Sequence, residues 1–226
     1  MEKLSSASTE NPVLLYTLEG NVQGLQSIFE DPSDVHHEQC SKLLLEKDLL
    51  GRNPLFIACI LGRSDIVRAL VRYGANINHQ TTRGYLPLHC AAAWGHLEVI
   101  KTIVDLGGDI LLLNFRGEKA YDIAVRYNKT DCADFLQWAE ARLTLKNYIS
   151  FIQQTMSDPE KVQGRLHKED KHLATNSCKA KIEWLENNKN ATTQDFVDQK
   201  QQLESTMQSV FTKLNTPRAE SGKFKR

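Results

Sequence analysis

Apolar side chains recur along this chain in two rhythms, and the change between them falls near residue 140. Before it, positions repeat every 33 residues: Gly51, Gly84 and Gly117; Ala58, Ala91 and Ala124; Leu70, Ile103 and Leu136; and the acidic Asp65, Glu98 and Asp131. Gly62 with Gly95, and Gly74 with Gly107, keep the same step. Agreement in so many registers specifies a repeat array. In the copy that begins at Gly84, Pro87 sits near the first helical position, where its fixed φ helps and its missing N–H costs nothing. Leu88, Ala91 and Ala92 then give a short helix one small apolar face, and Gly95 ends it. Leu97, Val99, Ile100, Ile103 and Val104 predict a second, more apolar helix, stopped by Gly107-Gly108. One such pair cannot bury its own face, whereas stacked copies share a continuous core.

Beyond residue 140 the 33-residue step stops and helical spacing takes over. Leu143, Leu145, Tyr148, Ile149 and Ile152 recur at short intervals until Ser157-Asp158-Pro159 breaks the run. A second stretch over about 168–188 carries Leu173, Cys178, Ile182, Trp184 and Leu185. Thr192-Thr193-Gln194-Asp195 can cap a third, with Phe196, Leu203, Met207, Val210, Phe211 and Leu214 on its apolar face. The pattern predicts a three-helix bundle with Trp184 in its core. The expected organisation is a disordered N-terminus (1–10), a repeat domain (11–140), a bundle (141–214) and a basic disordered tail (215–226) that keeps the chain soluble.

The residues also carry two family resemblances. Leu86-Pro87-Leu88-His89, Ala91-Ala92 and Gly95-His96-Leu97-Glu98-Val99 resemble the ankyrin repeat. Asn53-Pro54-Leu55-Phe56, Gly62-Arg63-Ser64-Asp65-Ile66-Val67 and Gly74-Ala75-Asn76-Ile77-Asn78 resemble a second copy. Repeats are placed at about 48–80, 81–113 and 114–140. The last is degenerate, with Lys119-Ala120-Tyr121-Asp122 for the usual Thr-Pro-Leu-His and Asn128 for a glycine. Residues 14–29 read as an N-terminal half-repeat, followed by an irregular polar connection over 30–39. The resemblance implies an all-α chain, an ankyrin-repeat solenoid of helix pairs with β-hairpin fingers, and a structural His89 bonded to turn backbone.

In the second half, Ala141-Arg142-Leu143-Thr144-Leu145-Lys146-Asn147-Tyr148, Gln163-Gly164-Arg165-Leu166 and Ile182-Glu183-Trp184-Leu185 resemble the lid of the 70-kilodalton heat-shock chaperones. That resemblance implies a fold and a docking surface. It does not imply ATP-driven chaperone activity, because no segment of this chain resembles the chaperones' nucleotide-binding or peptide-binding domains.

Lys plus Arg and Asp plus Glu both number 28, so no net charge points to nucleic acid. Residues 1–140 nonetheless hold 13 basic and 18 acidic side chains, and residues 141–226 hold 15 and 10. Five scattered cysteines (Cys40, Cys59, Cys90, Cys132, Cys178) form no C-x-x-C pair and read as reduced, mostly buried thiols. No signal-peptide core and no run near the ~20 apolar residues of a membrane span is present. The expectation is a cytoplasmic protein, with access to the nucleus left open. Phosphate-cradling glycine motifs are missing, and His36-His37 has no partner at metal-ligand spacing. The reading is therefore no enzyme, no cofactor and no metal.

Binding is expected on the concave face. Leu61, Trp94 and Tyr127, again 33 apart, precede the helix-ending position and form an apolar and aromatic row suited to an interface. The fingers add His79, Thr82 and Arg83, then Leu112, Phe115 and Arg116. Leu111-Leu112-Leu113 is more apolar than a finger tip requires; an outside partner or the bundle would cover it, the bundle slightly favoured. The expected function is a non-enzymatic scaffold or adaptor that grips other proteins in the ankyrin groove. A second partner or self-association would use the bundle. The alternative is a chaperone-network accessory whose lid-like bundle binds clients or a heat-shock chaperone.

Overall fold

In the computed structural model, which describes residues 11–216, the α-helices are α1 (Pro12–Glu19), α2 (Val22–Glu30), α3 (Cys40–Leu45), α4 (Pro54–Ile60), α5 (Ser64–Arg72), α6 (Pro87–Trp94), α7 (Leu97–Asp105), α8 (Ala120–Arg126), α9 (Thr130–Ser157), α10 (Pro159–Val162), α11 (Lys168–Asn187) and α12 (Thr193–Asn215). The chain divides into two units after Gln137. The N-terminus 1–10 and the tail beyond Thr216 lie outside the described residues.

In the first unit, short first helices α1, α4, α6 and α8 pack side by side in chain order, and α2, α5 and α7 form a second row behind them. Alanine at the seam makes the close approach feasible: Ala58, Ala91 and Ala124 are fully buried, one in each of α4, α6 and α8. Behind them Ile66, Val67, Leu70, Val99, Ile100 and Ile103 are shut off from water, each worth roughly 1.5–3 kcal/mol of burial.

Successive layers are also latched. Arg63 donates to Leu18 O at 2.6 Å, and His96, 33 residues on, donates through Nε2 to Ile60 O at 2.8 Å. Lys129 occupies the next register, against Gly95. Each of these side chains lies over the residue that ends the preceding first helix. At Gly62 the backbone is left-handed (φ 74°), and a Cβ would stand 2.6 Å from His96 Nδ1. Gly62→Ala should therefore cost about 2 kcal/mol or more, from left-handed strain plus displacement of the His96 latch. A thermal melt followed by circular dichroism checks this, and an unchanged midpoint would refute the latch. In the degenerate copy Asn128 takes the left-handed position (φ 55°), a conformation that asparagine tolerates better than most residues.

The fingers are closed turns. Thr81 N donates to Tyr85 O and Gly84 N to Thr81 O, both at 2.9 Å; Asp48 to Arg52 and Asn114 to Glu118 repeat the scheme. Each hairpin is only a few residues long, too short to build a ladder, and no strand forms among the described residues. The N-terminal segment differs from the half-repeat expectation. Asn11 caps α1 by accepting from Leu14 N at 3.1 Å, Pro12 starts it, and α2 completes a full helix pair. Part of the polar connection is ordered too: His37–Gln39 is a 3-10 turn leading into α3, and Asn11 Nδ2 donates to Leu43 O at 2.8 Å.

The second unit buries one core drawn from all of its helices: Leu145, Ile149 and Ile152 of α9, Val162 of α10, Ala174, Cys178 and Leu185 of α11, and Phe196, Leu203, Met207, Val210 and Leu214 of α12. Phe196 sits edge-on to two indoles, Trp138 at 5.7 Å and Trp184 at 5.6 Å between ring centres. Trp138 Nε1 donates to Ala191 O at 2.8 Å, so its polar atom is satisfied. Thr192 and Asp195 cap α12 reciprocally, with Thr192 N to Asp195 Oδ2 at 2.7 Å and Asp195 N to Thr192 Oγ1 at 3.2 Å. Leu173 departs from its sequence reading. It is exposed, because the neighbouring Ala174 takes the core position on that turn of α11.

Candidate functional site

The first helices end in the same way. Leu61 follows α4, Trp94 is the last residue of α6 and Tyr127 follows α8, each just before a left-handed residue that turns the chain. All three side chains are exposed, Trp94 to 61%. The Arg126 guanidinium lies 4.9 Å from the Tyr127 ring centre and pairs with Glu118 at 3.2 Å. On α1, Leu15 and Leu18 add exposed apolar area, and Leu18 holds the place relative to Gly20 that Ile60 holds relative to Gly62. Sequence reading missed both leucines, because alignment on Gly20 places Glu19 and not a leucine at the register of Leu61.

The finger tips make a second row. The 33-residue step that joins Thr82 to Phe115 and Arg83 to Arg116 also leads back to Leu49 and Leu50, which sequence reading left out. Leu49 is fully exposed and Leu50 largely so. Phe115 N donates to Arg83 O at 3.1 Å, fastening the third finger to the second. The guanidinium groups of Arg83 and Arg116 lie 5.9 and 5.5 Å from the Phe115 ring centre, and Tyr85 stands beside it at 5.8 Å. Arg83, Phe115 and Arg116 thus come together in space, while Thr82 lies against Gly51 of the first finger. Leu111 and Leu113 are exposed while Ile110 and Asn114 turn inward, and Leu112 is half-buried.

His79 stands apart from this cluster. Its ring meets Phe56 edge-on at 6.0 Å, Nε2 is buried, and burial lowers its pKa. His89 is only 2% exposed and fully occupied: Nδ1 accepts from Leu86 N at 3.1 Å, and Nε2 donates to Leu112 O at 3.2 Å. Burial, only partly offset by the bond to Leu112 and by Glu118 and Asp122, lowers its pKa to about 4. The imidazole is therefore neutral at pH 7 and ties α6 to the approach of the next finger. Sequence reading found this structural role.

Burial raises the Cys59 thiol well above its ordinary range and takes Cys90 to about 11, which leaves both protonated and poorly nucleophilic at neutral pH. Among the described residues no group of three or more His, Cys, Asp or Glu side chains could hold a metal ion, and no helix is long and apolar enough to cross a membrane.

Residues 55–104 match the family of ankyrin repeats (many copies). Relatives match far more of the chain. Human ankyrin repeat domain-containing protein 45 is 53% identical over 208 residues, 92% of this chain and 78% of its own length. The mouse protein of that name is 50% identical over 96% of this chain and 88% of its own, and the zebrafish (Danio rerio) one 47% over 92% and 94%. An alignment of 208 residues must continue past Gln137, so the likeness extends into the second unit. Ankyrin repeats mark the chain as a protein-interaction module, and nothing among the described residues points to catalysis. With this identity across nearly its whole length, the chain belongs to the family of ankyrin repeat domain-containing protein 45.

Proposed function

We propose that the chain is a non-enzymatic adaptor that grips a protein partner on the face carrying the first-helix ends and the fingers. One observation carries the reading: three successive layers each present an exposed apolar or aromatic side chain, Leu61, Trp94 and Tyr127, at one register. Large rings offer contact area at little cost in rotamer freedom, and exposed aromatic side chains concentrate binding energy at interfaces. Trp94→Ala should weaken a partner captured by cross-linking to the wild-type chain by about 2 kcal/mol, roughly 30-fold in affinity, with the melting temperature unchanged. Titration calorimetry with that purified partner reads the difference. Equal affinity would sink the proposal.

The bundle supplies a second docking element. Phe151 is exposed and stacks between Tyr148, at 6.3 Å, and Phe211, at 5.7 Å, an aromatic patch suited to a second partner, a client chain or another copy. The resemblance to a chaperone lid favours a client. Competition for binding at this patch by an unfolded polypeptide would separate the chaperone-accessory role from adaptor function alone.

A further inference from the structure

We propose that the finger ridge receives an extended acidic peptide carrying one apolar side chain, its carboxylates on Arg83 and Arg116 and its apolar group on Leu49 and Leu50. The inference rests on the interaction-module reading above but assigns a different row of residues and a partner chemistry.

The fingers' own carboxylates are already committed. Asp48 pairs with Arg52 at 2.6 Å and accepts from Leu50 N at 2.9 Å. Glu118 accepts from Asn114 Nδ2 at 2.9 Å and pairs with Arg126 at 3.2 Å. Among the described residues, neither Arg83 nor Arg116 has a carboxylate within ion-pair distance. Both guanidinium groups instead lie over the ring of Phe115, which is 57% exposed. A ring face attracts the cations and leaves their N–H forks open for a planar, bidentate acceptor such as a carboxylate. Their frame is stiff: Asn114 Oδ1 accepts from Arg116 N at 2.8 Å and Glu118 N at 3.1 Å, and the Phe115–Arg83 backbone bond joins the two fingers. Since residues 1–140 carry 18 acidic against 13 basic side chains, this cationic pair stands in a part of the chain that is acidic overall. It therefore selects for charge locally and does not extend a generally basic surface.

The register gives the peptide a spacing. Neighbouring packed helices lie about 8–10 Å apart and an extended chain advances about 3.3 Å per residue, so one finger corresponds to about three residues. The expected ligand places an apolar residue, then an acidic one about three positions on, then another acidic one about three beyond that, in either chain direction.

Selection of random twelve-residue peptides displayed on phage against the full chain tests this, followed by fluorescence anisotropy of the enriched peptides. The expected result is enrichment of that spaced acidic pattern. Affinity should fall at least tenfold for the double variant Arg83→Gln with Arg116→Gln, fall with added salt, and be partly kept when both become lysine. Enriched peptides without acidic bias, or bound equally by the glutamine variant, overturn the proposal. Peptides that depend on Trp94 and not on the arginines overturn it while leaving the helix-end row standing. Peptides that depend on the arginines and not on Trp94 support it and count against that row. A failure to enrich any peptide, with a ten-nucleotide polyuridylate bound through the same arginines, overturns it in favour of a phosphate ligand, and failure without such binding also overturns it.

Discussion

Phe196→Ala should destabilise the second unit by about 3–5 kcal/mol, the range for deleting a large aromatic side chain from a packed interior. Phe196 is 1% exposed, and both indoles that contact it lose their edge-to-face partner on truncation. The surroundings can close only part of the gap. Trp138 is tied at Nε1 to Ala191 O, which limits how far its ring can follow. Urea unfolding read by tryptophan emission measures the effect, because Trp138 and Trp184 report this core while Trp94 is already in water. Phe196→Leu, which refills much of the volume, should recover most of the loss. A cost under about 1 kcal/mol for the alanine variant would show that the ring is not the centre of the core.

Acidification should weaken the first unit through His89 before most carboxylates are touched. With its folded pKa lowered to about 4 against an ordinary 6.5, the imidazole binds a proton in the unfolded chain but not in the native one throughout that interval. Stability therefore rises with pH between about 4 and 6.5. The contribution is fully present above pH 6.5 and is lost as pH falls through 4. The interval of about 2.5 units corresponds to roughly 3 kcal/mol. Protonation has a structural meaning as well: Nδ1 must accept from Leu86 N, and a proton there removes the acceptor. His89→Asn should be less stable at pH 7.5, since a buried bond to the backbone is lost, and its denaturation midpoint should be much flatter between pH 6.5 and 4. Parallel slopes for variant and wild type would contradict the assignment.

The repeat architecture was legible because glycine and proline register reports backbone geometry directly. Gly62 and Gly95 take the left-handed backbone that favours glycine, and Pro54 and Pro87 begin α4 and α6. The helix-end row was legible for the same reason, since a residue just before a left-handed turn is fixed in position by that turn. The leucines at 49 and 50 were overlooked because the first finger lacks the polar sequence that made the second recognisable. The full N-terminal helix pair was hidden by its 42-residue distance from Gly20 to Gly62, which breaks the period by the length of an inserted connection. His79 illustrates a harder limit: a polar residue in a polar stretch gives no sign that its ring will turn against Phe56. The cationic pair of Arg83 and Arg116 was visible as residues, but their shared ring and their want of carboxylates appear only when the fingers are set side by side.

The latches of Arg63 and His96 give the array an arrow. Each reaches backward, so a layer is closed off by the one that follows it in the chain and not by the one before. Duplicating residues 84–116 in tandem would regenerate the same clasp, with the new histidine resting on the original Gly95, and so lengthen the array without a mismatched joint. Deletion from the carboxyl side would instead bare a helix end at every step. In such a chain, copying a whole layer keeps every clasp and trimming from the carboxyl side does not, so elongation reaches a broader gripping surface without a bared helix end.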